Sequence, residues 1–323
     1  MDLGEAMARL LAGDDSESTV IEAAARADPS ALRPFHDRLI DAEAWVWPWR
    51  PLWVAATEET AARLVAEVDA GAGMSERWLM ALGLSRTRTA AAALSRWTKE
   101  PPPVAASLYV PIAQYAHEGG WELGTEGIRP LSSLPSYALT PTEADRPLAG
   151  CLPLDERCPW CGLALLRLLD VDLDDPGVAA LGLAGHGRVV ATTCLDCGSY
   201  TDVLGEYRPD GTATWSDANT RPGYLPPAGE WDLDLPTERL GLGPLRCTPV
   251  EGIAWNAGGS TLGGLPDWIQ DADYPSCPRC RTTLYFLAQL TGDDLWGESA
   301  EGCHYVFFCA DDCRTTAVVY QQS

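Results

Sequence analysis

The chain has 323 residues, of which 46% are hydrophobic and 21% charged, the balance of a globular protein long enough for two domains. A net charge of −23 repels phosphate backbones and no basic patch interrupts it, so nucleic acid is excluded as the expected partner. The start, Met1-Asp2-Leu3-Gly4-Glu5-Ala6, lacks the basic and apolar stretches of a signal peptide, and no apolar run reaches the roughly 18 residues of a membrane helix; a cytoplasmic address away from membranes is the expectation.

Residues 1–130 read as a helical domain. Thr19-Val20-Ile21-Glu22 has the form of a capping box opening an Ala-rich helix that Pro29 stops. Leu32, Phe35, Leu39 and Ile40 fall on one face of a second helix. Thr57 or Thr60 opens a third containing Leu64, Val65 and Val68; Ser75 precedes Trp78, Leu79 and Leu82; Leu94 and Trp97 mark a fifth; Val104, Leu108, Ile112 and Tyr115 mark a sixth. Short helices joined by brief turns suggest stacked αα-hairpins, weakly similar to HEAT-type repeats. Trp45, Trp47, Trp49 and Trp53 alternate as an extended segment would, with Pro48 opposing a helix; they fit either a packed helix junction or an aromatic binding surface.

Residues 131–155, with Pro135, Pro141, Pro147 and Pro153, show no lasting period and read as a linker. Beyond it, residues 156–323 carry four close cysteine pairs: Cys158/Cys161, Cys194/Cys197, Cys277/Cys280 and Cys309/Cys313. Two or three residues between thiols let one turn aim both sulfurs at a single ion, and eight thiols match two tetrahedral four-thiolate Zn2+ sites of structural type. A lone CxxC also suits redox chemistry, but four pairs in one chain argue for metal.

Laying Cys158-Pro159-Trp160-Cys161 on Cys277-Pro278-Arg279-Cys280 brings Leu165 onto Leu284, Leu168 onto Leu287 and Asp174-Asp175 onto Asp293-Asp294. Each unit, about 156–215 and 260–323, then reaches an apolar approach to its second knuckle (residues 189–194 and 305–309) and a β-like run, Tyr200 to Leu204 and Thr315 to Tyr320. This duplication groups the first four paired cysteines in one site and the last four in the other, while a swapped grouping of the two CPxC turns stays open. Arg208-Pro209-Asp210-Gly211-Thr212 reads as a hairpin turn, and the Pro/Gly-rich residues 216–265, including Pro226-Pro227-Ala228-Gly229, as extended connections. The fold class expected is α+β: a helical domain followed by a duplicated β-rich domain.

Gly263-Gly264-Leu265-Pro266-Asp267-Trp268-Ile269-Gln270, then Cys277-Pro278-Arg279-Cys280, then Phe286-Leu287-Ala288-Gln289-Leu290 resembles the bacterial YwqG-like family, itself related to the eukaryotic programmed cell death protein 2. The first unit, with Cys158 to Gly162, Cys194 to Cys197 and Thr214-Trp215-Ser216, is similar to zinc-containing members; the helical region lies outside the resemblance. The resemblance implies a β-rich, internally duplicated fold, and its eukaryotic branch implies chaperoning of a basic ribosomal protein. The three-residue gap between Cys309 and Cys313 departs from the pattern. Physically, Gly263-Gly264 suits positive φ before the Pro266 turn, and Trp268 is placed to cap a sheet edge.

No phosphate-binding, dinucleotide-binding, zinc-protease or serine-hydrolase signature is present. His36, His117, His186 and His304 are scattered, with His304 alone close enough to a knuckle to stand in for a thiol. Cys151, Cys247 and Cys303 read as small buried apolar residues, and Cys303 with His304 is a poor nucleophile and base because strand neighbours point to opposite faces. The functional reading is a non-catalytic, zinc-stabilised interaction module whose acidic surface binds or shields a basic protein. The alternative is a hydrolase with a carboxylate site in the cleft between the duplicated units.

Overall fold

Two helices in the first part of the chain begin at a threonine whose side chain accepts from a free backbone N–H, and one of these two stops at Gly71 in the left-handed conformation. The computed structural model describes residues 2–14, 16, 18–125, 127–225, 235–246, 258–297 and 300–323. It divides the chain into a unit that ends at Leu131 and one that begins at Ser132.

The first unit contains α1 (Leu3–Leu11), α2 (Ser18–Ala27), α3 (His36–Asp41), α4 (Trp49–Val54), α5 (Glu58–Ala70), α6 (Ser75–Ser85) and α7 (Arg88–Trp97), then the hairpin β1 (Trp121–Gly124) and β2 (Gly127–Pro130). The Thr57 hydroxyl accepts from Thr60 N at 3.2 Å to cap α5, and Thr87 accepts from Ala90 N at 3.1 Å to cap α7. Thr19 lies inside α2, which already begins at Ser18, so the expected capping box is displaced. The second expected helix is a 3-10 turn, Pro29–Phe35, leading into α3, because Pro34 offers no N–H to an α ladder. The sixth is interrupted likewise: Pro111 separates the 3-10 segments Pro103–Ser107 and Ile112–Gly119. Gly83 of α6 lies so close to the Tyr115 carbonyl that a Cβ would collide with it, and its own carbonyl accepts from Trp121 Nε1 at 2.6 Å.

The tryptophans form a packed junction. Trp53 and Trp78 are buried and meet edge to face at 5.7 Å, Trp45 stacks on Trp53 at 6.3 Å, and His36 stacks on Trp53 at 5.2 Å. Pro48 does oppose a helix, but only until Trp49, where α4 begins.

In the second unit, β3 (Ser136–Pro141), β4 (Ala149–Arg157), β5 (Ala164–Asp172), β6 (Arg188–Thr193), β7 (Val203–Tyr207), β8 (Ala213–Trp215), β9 (Arg239–Arg246), β10 (Thr261–Gly263), β11 (Tyr285–Thr291), β12 (Cys303–Phe308) and β13 (Thr315–Gln321) join one 11-stranded sheet. Its order is β6-β5-β4-β9-β3-β10-β11-β12-β13-β7-β8, antiparallel at each junction. Two short helices, α8 (Leu195–Gly198) and α9 (Gly292–Trp296), belong to the same unit. With the helical first unit, this is an α+β protein.

Two expectations fail here. Residues 131–155 are not a linker but supply β3 and most of β4, whose register shifts around Pro153 hide the alternation from a sequence scan. Within 216–265, β9 and β10 are strands, not draped connections; Pro226 to Gly229 and Cys247 lie outside the described residues. The expected turn at Arg208 to Thr212 does close the β7–β8 hairpin, with Arg208 N donating to Thr212 O at 2.8 Å.

Strands β11 and β12 are buried along their whole length, which explains their continuous apolar runs. Val306 and Phe308 enter a core with Ala288, Leu290 and Val318, while Tyr305 and Phe307 face Trp268 and Tyr274. Trp268 therefore sits on the face of β12 and not at a sheet edge. Edge strand β6 comes against β7 and β13: Thr192 and Thr316 both stand over Gly205, where a Cβ would lie 2.8 Å and 2.9 Å from their hydroxyls.

Candidate metal centres

Both CPxC segments fold into the same turn. Gly162 N donates to Cys158 O at 2.9 Å and Cys158 N to Leu163 O at 2.8 Å; in the other, Arg281 N donates to Cys277 O at 2.9 Å and Cys277 N to Thr282 O at 2.8 Å. The residue after the second cysteine adopts positive φ in each, +82° at Gly162 and +67° at Arg281. The backbone N–H groups thus curl around the sulfur side and hold two thiols on one side of the turn.

The partner knuckles differ. Cys194 precedes α8, so Cys197 returns to the site through one helical turn, with Gly198 N donating to Cys194 O at 2.7 Å. Cys309 and Cys313 span a longer turn with positive φ at Asp312 and Arg314, closed by Cys309 N donating to Thr315 O at 2.9 Å. The extra residue there is absorbed by left-handed backbone.

The eight sulfurs gather in two groups, Cys158/Cys161/Cys194/Cys197 and Cys277/Cys280/Cys309/Cys313, with the sulfurs of each group within 4.8 Å of one another. The swapped grouping is thereby ruled out. Cys158 and Cys197 sulfurs are 3.7 Å apart, Cys161 and Cys194 3.4 Å, Cys280 and Cys309 3.6 Å. An ion bonded to sulfur at about 2.3 Å in a tetrahedron spaces its ligands about 3.8 Å apart, whereas a disulfide needs about 2.05 Å. The quartets fit the first geometry, and all the described cysteines are free thiols.

Their protonation chemistry agrees. A hydrogen bond from Cys194 draws the Cys158 thiol down to about 5, and that same bond, with burial, pushes Cys194 up. Burial and the Cys158 charge push Cys197 up. In the second group, burial works against ionisation of Cys280, but hydrogen bonds from Thr282 and neighbouring thiols outweigh it and bring it to about 6, while burial raises Cys309 and Cys313. A dication is what permits four thiolates to lie together in one group.

The surroundings are unequal. Around the first quartet, Leu165 and Leu225 are buried and Leu154, Trp160 and Trp215 pack on it, with Trp160 and Trp215 edge to face at 4.8 Å. Around the second, Cys280 is exposed and Cys313 half-buried. The position of Trp160 is taken there by Arg279, which pairs with Glu206 at 2.6 Å.

His304 joins neither group and lies on the face of β12 opposite Cys303, so no nucleophile-base pair forms. Cys151 and Cys303 are buried, and burial raises both thiols, Cys151 to about 12. Asp294 accepts from Ser260 N at 2.7 Å and Asp174 from Gly187 N at 3.1 Å, so both Asp-Asp pairs hold turns.

The glycine-rich loop is held by a polar network that the sequence scan passed over. Gly263 and Gly264 do take positive φ, +72° and +86°, and Gly264 N donates to Ser133 Oγ at 2.9 Å. Gln289, buried on β11, accepts from Asp267 N at 2.8 Å and donates to Gly259 O at 2.7 Å. Tyr305 donates to Asp267 O at 2.7 Å and accepts from Ile269 N at 3.1 Å. These bonds satisfy loop backbone that burial would otherwise strand. A Gln inside an otherwise apolar strand was the available signal. Asp202 also escaped notice: burial, then the charge of Asp273, lifts its carboxyl to about 6.

No protein-family model matches the chain, and no solved structure does. Over 235 residues, or 71% of its length, the chain is 35% identical to the uncharacterized protein YpfL of Salmonella typhimurium. The match covers 54% of that protein, so the chain spans about half the length of the curated relative it matches. Among the described residues no helix is long and apolar enough to cross a membrane.

Proposed function

We propose that each cysteine quartet holds one Zn2+ as a structural ion and that the chain is a non-catalytic, cytoplasmic interaction module whose acidic surface binds or shields a basic protein. The observation that carries this reading is the closure of both donor sets: four thiols converge in each, leaving no position for water or substrate, as structural zinc requires. The two cysteine-bearing repeats, about 156–215 and 260–323, are read as copies of one another on the strength of their shared first turn and shared order of turn, two strands, knuckle and strand. The likeness to the YwqG-like family is retained as part of the reading, as is a helical layer of αα-hairpin type. The net charge of −23 supports a basic partner.

The test has two parts. Elemental analysis of protein purified without added metal is expected to give two zinc ions per chain; metal-free folded protein overturns the structural claim. Affinity capture at low and high salt, read by mass spectrometry, is expected to return basic proteins released by salt; salt-insensitive or acidic partners overturn the charge argument.

A hydrolase remains the second reading, favoured by the raised carboxyl of Asp202 beside Asp273. Neither residue lines the cavities at His304, α7 or Cys309. Asp202→Asn separates the readings, since it abolishes hydrolysis under the second and leaves partner capture unchanged under the first.

A further inference from the structure

The Cys303 end of β12 carries a cavity of about 270 Å³ walled by Trp296, His304 and Tyr320, with Leu195, Ala300 and Glu301 completing it. His304 and Tyr320 face each other across the β12–β13 register with rings 4.7 Å apart, and Trp296, the last residue of α9, stacks on His304 at 6.2 Å and 19°. The three rings form one continuous aromatic wall. Trp296 is 40% exposed, an unusual position for so large an apolar surface, and leaves the wall open to solvent.

The polar groups of the cavity narrow what it can hold. Ser199, also in the lining, donates to Leu195 O at 2.7 Å, and the Tyr320 hydroxyl is engaged with Glu301 O and Gln322, so neither is free to recognise a ligand. His304 is 5% exposed, and its Nδ1 has no partner among the described residues, leaving the ring with unspent hydrogen-bonding capacity. Burial holds His304 down at about 4, so the ring is neutral near pH 7 and adds no positive charge to the wall. Glu301 is exposed and supplies the one formal charge of the lining. Electron-rich ring faces, apolar floor atoms and a single carboxylate together favour a cation with alkyl substituents over an anion or a neutral polar group.

We propose that this cavity binds an alkylammonium cation, its alkyl part against Leu195 and Ala300 and its charge over the Trp296 and Tyr320 rings with Glu301 alongside. The cavity contains none of the eight cysteines, though Leu195 belongs to the Cys194–Cys197 knuckle, and the proposal does not rest on the proposed function. Such a cation could come from a free amine or from a lysine side chain, methylated or not, and the chemistry of recognition is the same.

The test uses the full chain as purified, choline, and the uncharged isostere of choline, 3,3-dimethylbutan-1-ol, with the affinity of each variant read by titration calorimetry and the wild-type site located by the Trp296 indole N–H signal assigned by Trp296→Phe. Choline is expected to saturate that signal, and the isostere to bind about tenfold more weakly, because only the charge distinguishes them. Trp296→Ala and Tyr320→Leu are each expected to weaken choline about tenfold and Glu301→Gln about threefold. A peptide with one trimethyl-lysine that binds more tightly than choline assigns the site to a protein side chain; weaker binding assigns it to a free amine. Equal binding of the isostere, absence of saturation, or a Trp296→Ala chain that binds as wild type overturns the proposal. Should the variants fail to fold, the choline and isostere titrations of the wild type decide it alone.

Discussion

The two cysteine quartets share one turn and differ in what covers them. The first is sunk beneath Trp160, Trp215, Leu165 and Leu225, whereas the second shows Cys280 to solvent and sets a charged Arg279 where the first has Trp160. Identical donor chemistry in unequal surroundings teaches that ligand count fixes whether an ion can be held, while the covering side chains fix how readily it is reached.

The largest expected effect comes from removing a ligand. Cys158→Ser is expected to lower bound metal by one ion per chain and to destabilise the second unit by several kcal/mol, on the order of what a structural site contributes to folding; elemental analysis with thermal unfolding checks this. Cys280→Ser should remove the other ion at a smaller stability loss, and equal losses would break the comparison. A chelator added to wild-type protein should release metal in two phases of one equivalent each, the faster from the exposed quartet; a single phase would show that cover does not matter.

The matched positions sharpen the point. Trp160→Ala should cost about 2–3 kcal/mol through lost packing on Trp215 and the quartet, and should bring the slow chelation phase toward the fast one. Asp202 lies in the same unit and is read by pH. Its carboxyl is raised from 3.8 to about 6, so the folded state keeps a proton that the unfolded state has lost, and the group destabilises as pH rises through 4 to 6. Asp202→Asn is expected to stabilise the protein at pH 7 by about 1–3 kcal/mol and to remove that slope. His304, lowered to about 4, has the opposite slope and is common to both proteins, so the difference between their stability curves isolates Asp202. The smallest effect is Arg279→Ala: an exposed ion pair with Glu206 is worth about 0–1 kcal/mol, and denaturant unfolding should barely detect its loss.

The ligand set was legible because a thiol pair separated by two or three residues needs only its own turn to point both sulfurs one way. Helix α5 was legible for a similar reason, since Thr57 caps it locally, and α7 was legible from the spacing of Leu94 and Trp97, although its Thr87 cap was not read. Strands β3, β4 and β9 were not, because proline, glycine and register shifts break their alternation and their place in the sheet comes from distant partners: β9 pairs with both β3 and β4. Gln289 escaped for the same reason, as its partners Asp267 and Gly259 are brought to it by the fold.

Sequence alone determined the eight thiols, their pairing into four knuckles, the acidic balance and the absence of a familiar catalytic signature, all of which are properties of composition and short spacing. Tertiary structure decided which pairs meet, that Trp160 and Trp215 shelter one quartet while the other stays open, and that Trp296, His304 and Tyr320 share a wall. Spacing along a chain sets only what a single turn can do; proximity between turns is decided by strand register and by which faces the core buries, and both are settled by the whole sheet at once.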